Sequence, residues 1–191
     1  MSIKRIAALL LASIMIVSLG ACKKAPEERP VEYIEGEIIQ IFAPIQAAGL
    51  ISSLAYTYTS EYEGVQFLIT NDDGELLAAK IEAGYTCDIY IADEKSFMDW
   101  LDINCDEELN PNRNDKIVKG SRREIMTGPG NPDYCDEELA EDEVYISSYS
   151  AAVCVSSGKP YESQCFIDFL SSETAKKVME EFGYTPIDNQ E

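Results

Sequence analysis

The residues able to do chemistry in this chain are carboxylates and thiols. Its 191 residues hold 35 Asp and Glu and six Cys, but no His. Without histidine, Ser-His-Asp and Cys-His nucleophilic machinery and histidine-ligated metal sites are excluded. No nucleophile–base pair is left, so an enzyme is not expected. Acids are so common that a pair of carboxylates at a given spacing means little. Position singles out one run, Asn71-Asp72-Asp73-Gly74-Glu75, which reads as a turn and a helix N-cap in one. The acid-rich stretch from 104 to 147 could offer oxygens to a hard cation, yet it carries no EF-hand spacing. No metal or cofactor is expected.

Among the thiols, Cys22 is the most specific. Lys4 and Arg5 form a positive n-region, Ile6 to Leu19 an apolar core too short for a comfortable bilayer span, and Leu19-Gly20-Ala21-Cys22 follows. This resembles a bacterial lipobox, in which the cysteine is lipidated on its thiol and becomes the mature N-terminus. The expected organisation is a signal peptide over 1–21, a charged, proline-bearing tether over 22–35, and a single domain over 36–191. One acyl chain binds a membrane only marginally. Bacterial lipoproteins usually carry more, so the resemblance implies stable anchoring outside the cytoplasmic membrane. Five cysteines remain: Cys87, Cys105, Cys135, Cys154 and Cys165. The number is odd, so at least one thiol is free or pairs between molecules. Cys87, Cys154 and Cys165 lie in apolar runs and read as small core residues. Cys105 with Cys135 is the one intramolecular pairing put forward. The motif Cys-Asp-Glu-Glu-Leu occurs at both, as a small repeat, a linked pair of turns, or coincidence.

The elements that must position these groups follow from periodicity. Glu37–Ala43 reads as a strand ended by Pro44. Ala47, Leu50, Ile51, Leu54, Ala55 and Tyr58 fall on one helix face, and Gly64 stops that helix. Val65–Ile69 is a second strand. Leu77 and Ile81 share a face of the next helix, with Gly84 at its left-handed C′ position. Ile89-Tyr90-Ile91 is a short buried strand, and Asp93 is placed to cap a helix over Glu-Lys-Ser-Phe-Met-Asp-Trp-Leu. From Asn104 to Ser147 the pattern is irregular. Order returns with a strand over Ser150–Val155 and a helix opened by Lys159-Pro160, carrying Cys165, Phe166, Phe169 and Leu170 on one side. A last helix, capped by Ser171 and ended by Gly183, turns Ala175, Met179 and Phe182 inward. The β-α-β-α-β-α order makes the fold class α/β, a doubly wound and mostly parallel sheet with flanking helices. In such sheets ligands sit outside the carboxyl ends of strands.

The formal charge is −20 and the first 21 residues contribute only Lys4 and Arg5, so the rest is more acidic still. A basic face for nucleic acid or anionic lipid is therefore excluded. A solvated acidic coat facing an external medium accounts for the balance.

Three blocks resemble the molybdate-binding branch of the extracytoplasmic substrate-binding lipoproteins of ABC importers. They are Ile41-Phe42-Ala43 with the helix to Tyr62, residues 80–101 with their Ile-Glu-Ala-Gly and Asp88-bearing strand, and residues 149–186. A weaker block is 119–124, with Gly-Ser-Arg before a cross-over strand. The resemblance implies a type 2 periplasmic-binding-protein-like fold, a small oxyanion solute, an ABC permease partner and attachment to the bacterial cell membrane through lipid on Cys22. Because 128–147 stands where most of a second lobe belongs, a single lobe is expected, with 104–147 in place of the other. In the family, hydroxyl residues at two helix N-termini hold the anion. The matching positions here are Ala43 and Gln46 (or Gly49 with a shifted gap), then Asp73, Gly74 and Glu75. A carboxylate about 5 Å from a dianion repels it by roughly 6 kcal/mol at an effective dielectric near 20. A helix N-terminus returns only about 0.3–2 kcal/mol. The expected function is thus a membrane-tethered solute-binding protein with an altered ligand site. The alternative is an acidic, lipid-anchored interaction module that has lost solute binding.

Overall fold

Strand β1 (Glu37–Pro44) is the axis of the molecule, and its residues alternate between two cores. Ile39, Ile41 and Ala43 face one side, and Phe42 faces the other. A computed structural model describes residues 37–102, 115–135, 139–140 and 142–188. A 3₁₀ turn (Ile45–Ala47) follows β1 and leads into helix α1 (Ala48–Glu61). Then come β2 (Val65–Asp72), α2 (Gly74–Glu82), β3 (Ile89–Ala92) and α3 (Lys95–Leu101). Strand β4 (Arg123–Pro129) and a short turn at Pro132–Tyr134 precede β5 (Ile146–Val153). Helices α4 (Pro160–Phe169) and α5 (Glu173–Glu181) and the two-residue β6 (Thr185–Pro186) close the chain.

The six strands form one sheet in the order β2-β1-β3-β5-β4-β6. β1 pairs in parallel with both β2 and β3, while β5 returns antiparallel between β3 and β4. β6 adds antiparallel to β4. Four of the six strands therefore run the same way, and helices cover both faces as expected of a doubly wound α/β sheet. On one face α1, α4 and α5 pack Leu50, Ile51, Leu54, Phe166, Ile167 and Met179 onto the odd residues of β1 and β3. On the other, α2 and α3 pack Leu77, Ile81, Met98 and Leu101 onto Phe42, Tyr90 and Ala92. β2 extends three residues beyond the expected end, because every position to Asp72 finds a partner on β1.

Gly84 has φ +95°, and Tyr85 N–H donates to Lys80 O while Gly84 N–H donates to Ile81 O. Those two bonds are the Schellman close of α2, which a residue with a Cβ resists. After this stop, Asp88 seams β3 into the sheet. Its N–H donates to Gln40 O at 2.8 Å, and its carboxylate accepts from Gln40 N–H at 2.8 Å and Ser157 O–H at 2.6 Å.

Several expectations are corrected. Asp93 caps nothing: the backbone stays extended through Glu94, which holds the N-cap position of α3 without a side-chain cap. Asp93 is instead fully buried. The cap of α5 is Ser172, whose hydroxyl accepts from Ala175 N–H, because the turn after α4 carries Ser171 along with it. Phe182 is 46% exposed, lying past the last turn against Gly49 of α1. The stretch from 104 to 147 is not irregular throughout, since it contains β4. β5 starts at Ile146, four residues before the expected Ser150. Cys165 is only partly buried, and the proposed pairing of Cys135 with Cys105 involves a residue outside the described ones. Residues 1–36, with Cys22, and the first Cys-Asp-Glu-Glu-Leu motif, with Cys105, lie outside the described residues.

Asp88→Ala strips the acceptor from Gln40 N–H and Ser157. An unsatisfied group of this kind costs about 1–3 kcal/mol, to be read as a lower urea midpoint with an unchanged m-value.

Candidate ligand site at the carboxyl ends of the parallel strands

Strand order places a switch point beside β1. The chain leaves β1 for β2 on one side and then returns over β1 to β3 on the other. The loops that follow β1 and β3 consequently diverge to opposite faces, which is the place where open α/β sheets bind ligands. Gln46 stands on the first loop and Asp93 on the second. The end of β2 is brought alongside, with Ala43 opposite Asn71 and Pro44 opposite Asp72. Asn71 also donates from Nδ2 to Ala43 O at 3.3 Å.

At the second junction Asp73 is the N-cap of α2. Its Oδ1 accepts from Glu75 N–H at 3.0 Å and Leu76 N–H at 3.3 Å. Two further donors reach it from the segment after β4. Tyr134 O–H donates to Oδ1 at 2.5 Å, and Asn131 Nδ2 donates to Oδ2 at 3.0 Å. Four donors thus converge on one carboxylate at a helix N-terminus, the arrangement that elsewhere binds a free anion. Glu75 contributes its backbone, with N–H also 3.4 Å from Tyr134 Oη, and is itself exposed. Asp72 points elsewhere: the Lys80 ammonium bonds it at 2.6 Å and holds its carboxyl below the usual range.

Gly74 is required by a close approach. A Cβ there would lie 2.1 Å from Asp93 Oδ1 and 3.3 Å from the Phe97 ring. Tyr90, rising from the middle of the sheet, donates its hydroxyl to Gly74 O at 3.0 Å. Asp93 lies beneath this contact, and neither of its carboxylate oxygens has a hydrogen-bond partner. Burial pushes its pKa up to about 6, against a lowering from its own backbone N–H and with the charges of Glu94 and Asp73 adding to the rise. Glu94, by contrast, accepts from Tyr145 O–H at 2.7 Å and Ser147 O–H at 2.9 Å. On the loop after β1, Gln46 accepts at its backbone oxygen from Tyr184 O–H at 3.0 Å, while its buried side-chain Oε1 has no partner. Tyr184 meets Tyr149 edge-on at 5.6 Å, and burial raises the pKa of both phenols.

The structure therefore brings together Asp73, Gly74 and Glu75 and sets Ala43 and Gln46 at the neighbouring strand end. Asn131, Tyr134 and Asp93 were not among the expected site residues. Asn131-Pro132 is a turn signal, but nothing local predicts that Tyr134 reaches Asp73, 61 residues away. Among the described residues no group of three or more His, Cys, Asp or Glu could hold a metal ion.

The chain shares its fold with several binding proteins of known structure, and the likeness is one of fold. The substrate binding domain of a putative molybdenum ABC transporter from Clostridium difficile superposes with a TM-score of 0.59 at 14% identity, over 80% of this chain and 100% of the other. The periplasmic molybdate-binding protein of Azotobacter vinelandii gives 0.58 at 10% identity, over 77% and 98%. A tungstate-binding protein from Desulfovibrio alaskensis gives 0.55 at 10%, over 80% and 99%. No protein-family model matches the chain, and no curated protein matches it.

Asp93 sets a pH signature. Its folded pKa of about 6 lies above the ordinary 3.8, so burial costs nothing below about pH 4 and its full amount above about pH 6. That cost is about 3 kcal/mol. Stability should fall as pH rises through this window. Asp93→Asn should exceed the wild type in urea midpoint at pH 7.5, and the gap should close by pH 4.

Proposed function

We propose that this chain is an extracytoplasmic solute-binding protein of an ABC importer, tethered to the membrane by lipid on Cys22, in which the oxyanion position is filled by its own Asp73 carboxylate. The observation that carries the reading is the set of four donors on Asp73. An incoming dianion would have to displace a bonded carboxylate and then sit beside its charge. Among the described residues, the buried side-chain atoms without partners near the switch point, Gln46 Oε1 and the Asp93 oxygens, are all acceptors. On this reading the buried acceptors call for a solute that donates hydrogen bonds or carries positive charge. An amine, a guanidinium or a divalent cation fits that description, and molybdate or sulfate does not. The ABC permease partner follows from the same reading and from the neighbours of this fold.

Thermal unfolding with millimolar molybdate, tungstate, sulfate, amines and divalent cations tests this. A 10 μM site at 1 mM ligand would raise Tm by about 5–10 °C. The wild type should show no such rise with any oxyanion, and Asp73→Ser should acquire one of at least about 2 °C. A wild-type response to molybdate would overturn the filled-site reading. Silence toward every solute, in both proteins, would favour the acidic interaction module. For the tether, Cys22→Ser should move the protein from the membrane pellet to the soluble fraction, and the wild-type N-terminal peptide should carry the mass of lipid.

A further inference from the structure

Cys87 and Cys154 lie 67 residues apart in sequence, yet their sulfurs are 3.2 Å apart in the sheet. Cys87 ends the loop that enters β3, and Cys154 follows the last residue of β5. Cys154 N–H donates to Asp88 O at 2.9 Å, so the ladder between these two strands runs on to the cysteines. Both side chains point to the same face, into the cluster under α2 that contains Ile81 and Ile117. We propose that Cys87 and Cys154 form an intramolecular disulfide that staples β3 to β5. The sulfurs need to close by only about 1.2 Å to reach bonding distance. This rests on their geometry alone and is independent of the solute-binding reading.

The reaction is thiol–disulfide exchange with a small or protein disulfide as oxidant. The thiolate of Cys87 attacks one sulfur of the oxidant and expels the other as a thiolate. The thiolate of Cys154 then attacks the Cys87 sulfur of the mixed disulfide and expels the second. The protein gives up two protons and two electrons, and the oxidant leaves as two thiols. Both cysteines are buried, at 2% and 1% exposure, but each adjoins open chain. Gly84, Tyr85 and Thr86 are exposed on one side, and Val155 and Ser156 on the other. Gly84, Tyr85, Val155 and Ser156 also line a surface cavity of about 460 Å³. A short opening of either loop therefore exposes a sulfur to the oxidant. The adjacent Cys154 sulfur and burial both raise the Cys87 pKa, so exchange should quicken as pH rises. All four described cysteines are free thiols, and among them only Cys87 and Cys154 have sulfurs in contact.

The protein, purified with reductant and then exposed to oxidised glutathione at pH 8.5, is alkylated, digested and mapped by mass spectrometry. A peptide linking Cys87 to Cys154 is expected, with a rise in Tm of about 5–10 °C that dithiothreitol reverses. Cys87→Ala and Cys154→Ala should each abolish that rise. If either variant fails to fold, the wild-type map still decides. Recovery of both cysteines as alkylated thiols, or of either joined to Cys135 or Cys165, would overturn the proposal.

Discussion

A helix that begins against a sheet must satisfy the N–H groups of its first turn, and α2 does so with its own Asp73. This constraint organises the site. A simple N-cap uses two of those N–H groups and leaves the rest of the carboxylate to water. Here the other lone pairs are taken by Asn131 and Tyr134, which pins the segment after β4 to the start of α2. Tyr134 is fixed in turn by the edge of its ring contact with Phe97, 5.0 Å between centroids. One carboxylate thereby links β2, α2, α3 and the exit of β4. The same donors cannot serve another acceptor while they serve Asp73, so this contact is a structural commitment of the fold.

The contact beneath it runs the other way. A carboxylate buried without partners is a cost that most folds avoid. Asp93 is tolerated because its surroundings are tyrosines and backbone rather than hydrocarbon alone, and because protonation relieves it near pH 6. A stabilising role does not explain such a group. Perturbed, unpartnered carboxylates concentrate at functional sites, and this one follows β3 beside a topological switch point, with a second buried acceptor, Gln46 Oε1, on the loop after β1. Asp73 and Asp93 thus contrast: one carboxylate accepts from four donors, the other is buried without a side-chain hydrogen bond.

Much of this fold was legible in the sequence because the elements from Glu37 to Leu101 are local. The spacing of Leu50, Ile51, Leu54 and Tyr58 gives the buried face of α1 directly, and Gly84 marks the Schellman turn. The N-cap role of Asp73 was legible for the same reason. The remainder depends on distant partners. β4 carries Arg123, Glu124, Thr127 and Gly128, a composition poor in strand signal, and is held in the sheet by β5 and β6. Asp93 was misread because an acid after a strand is a good N-cap by local rules. Its burial is decided by Gly74, 19 positions back, whose missing side chain makes the space. Ser171 and Ser172 differ by one residue, within the usual uncertainty of helix ends.

The antiparallel return of β5 is what makes the two halves of the sheet one object. A parallel β1-β2-β3 unit leaves β3 as an open edge, with unpaired N–H and C=O groups. β5 covers that edge with four register pairs, from Ile89 opposite Val153 to Ala92 opposite Ser150. β3 is only four residues long, so this seam is short, and the chain reinforces it just beyond the ladder. Asp88 binds Gln40 on β1 and Ser157 past the end of β5, reaching across β3 to both of its neighbours. Cys87 and Cys154 meet at the same end. The site lies at the opposite, carboxyl end of β1 and β3. Tightening the seam at Asp88 therefore fixes the spacing of the strands from which the Gln46 and Asp93 loops depart, from the end of the sheet away from those loops.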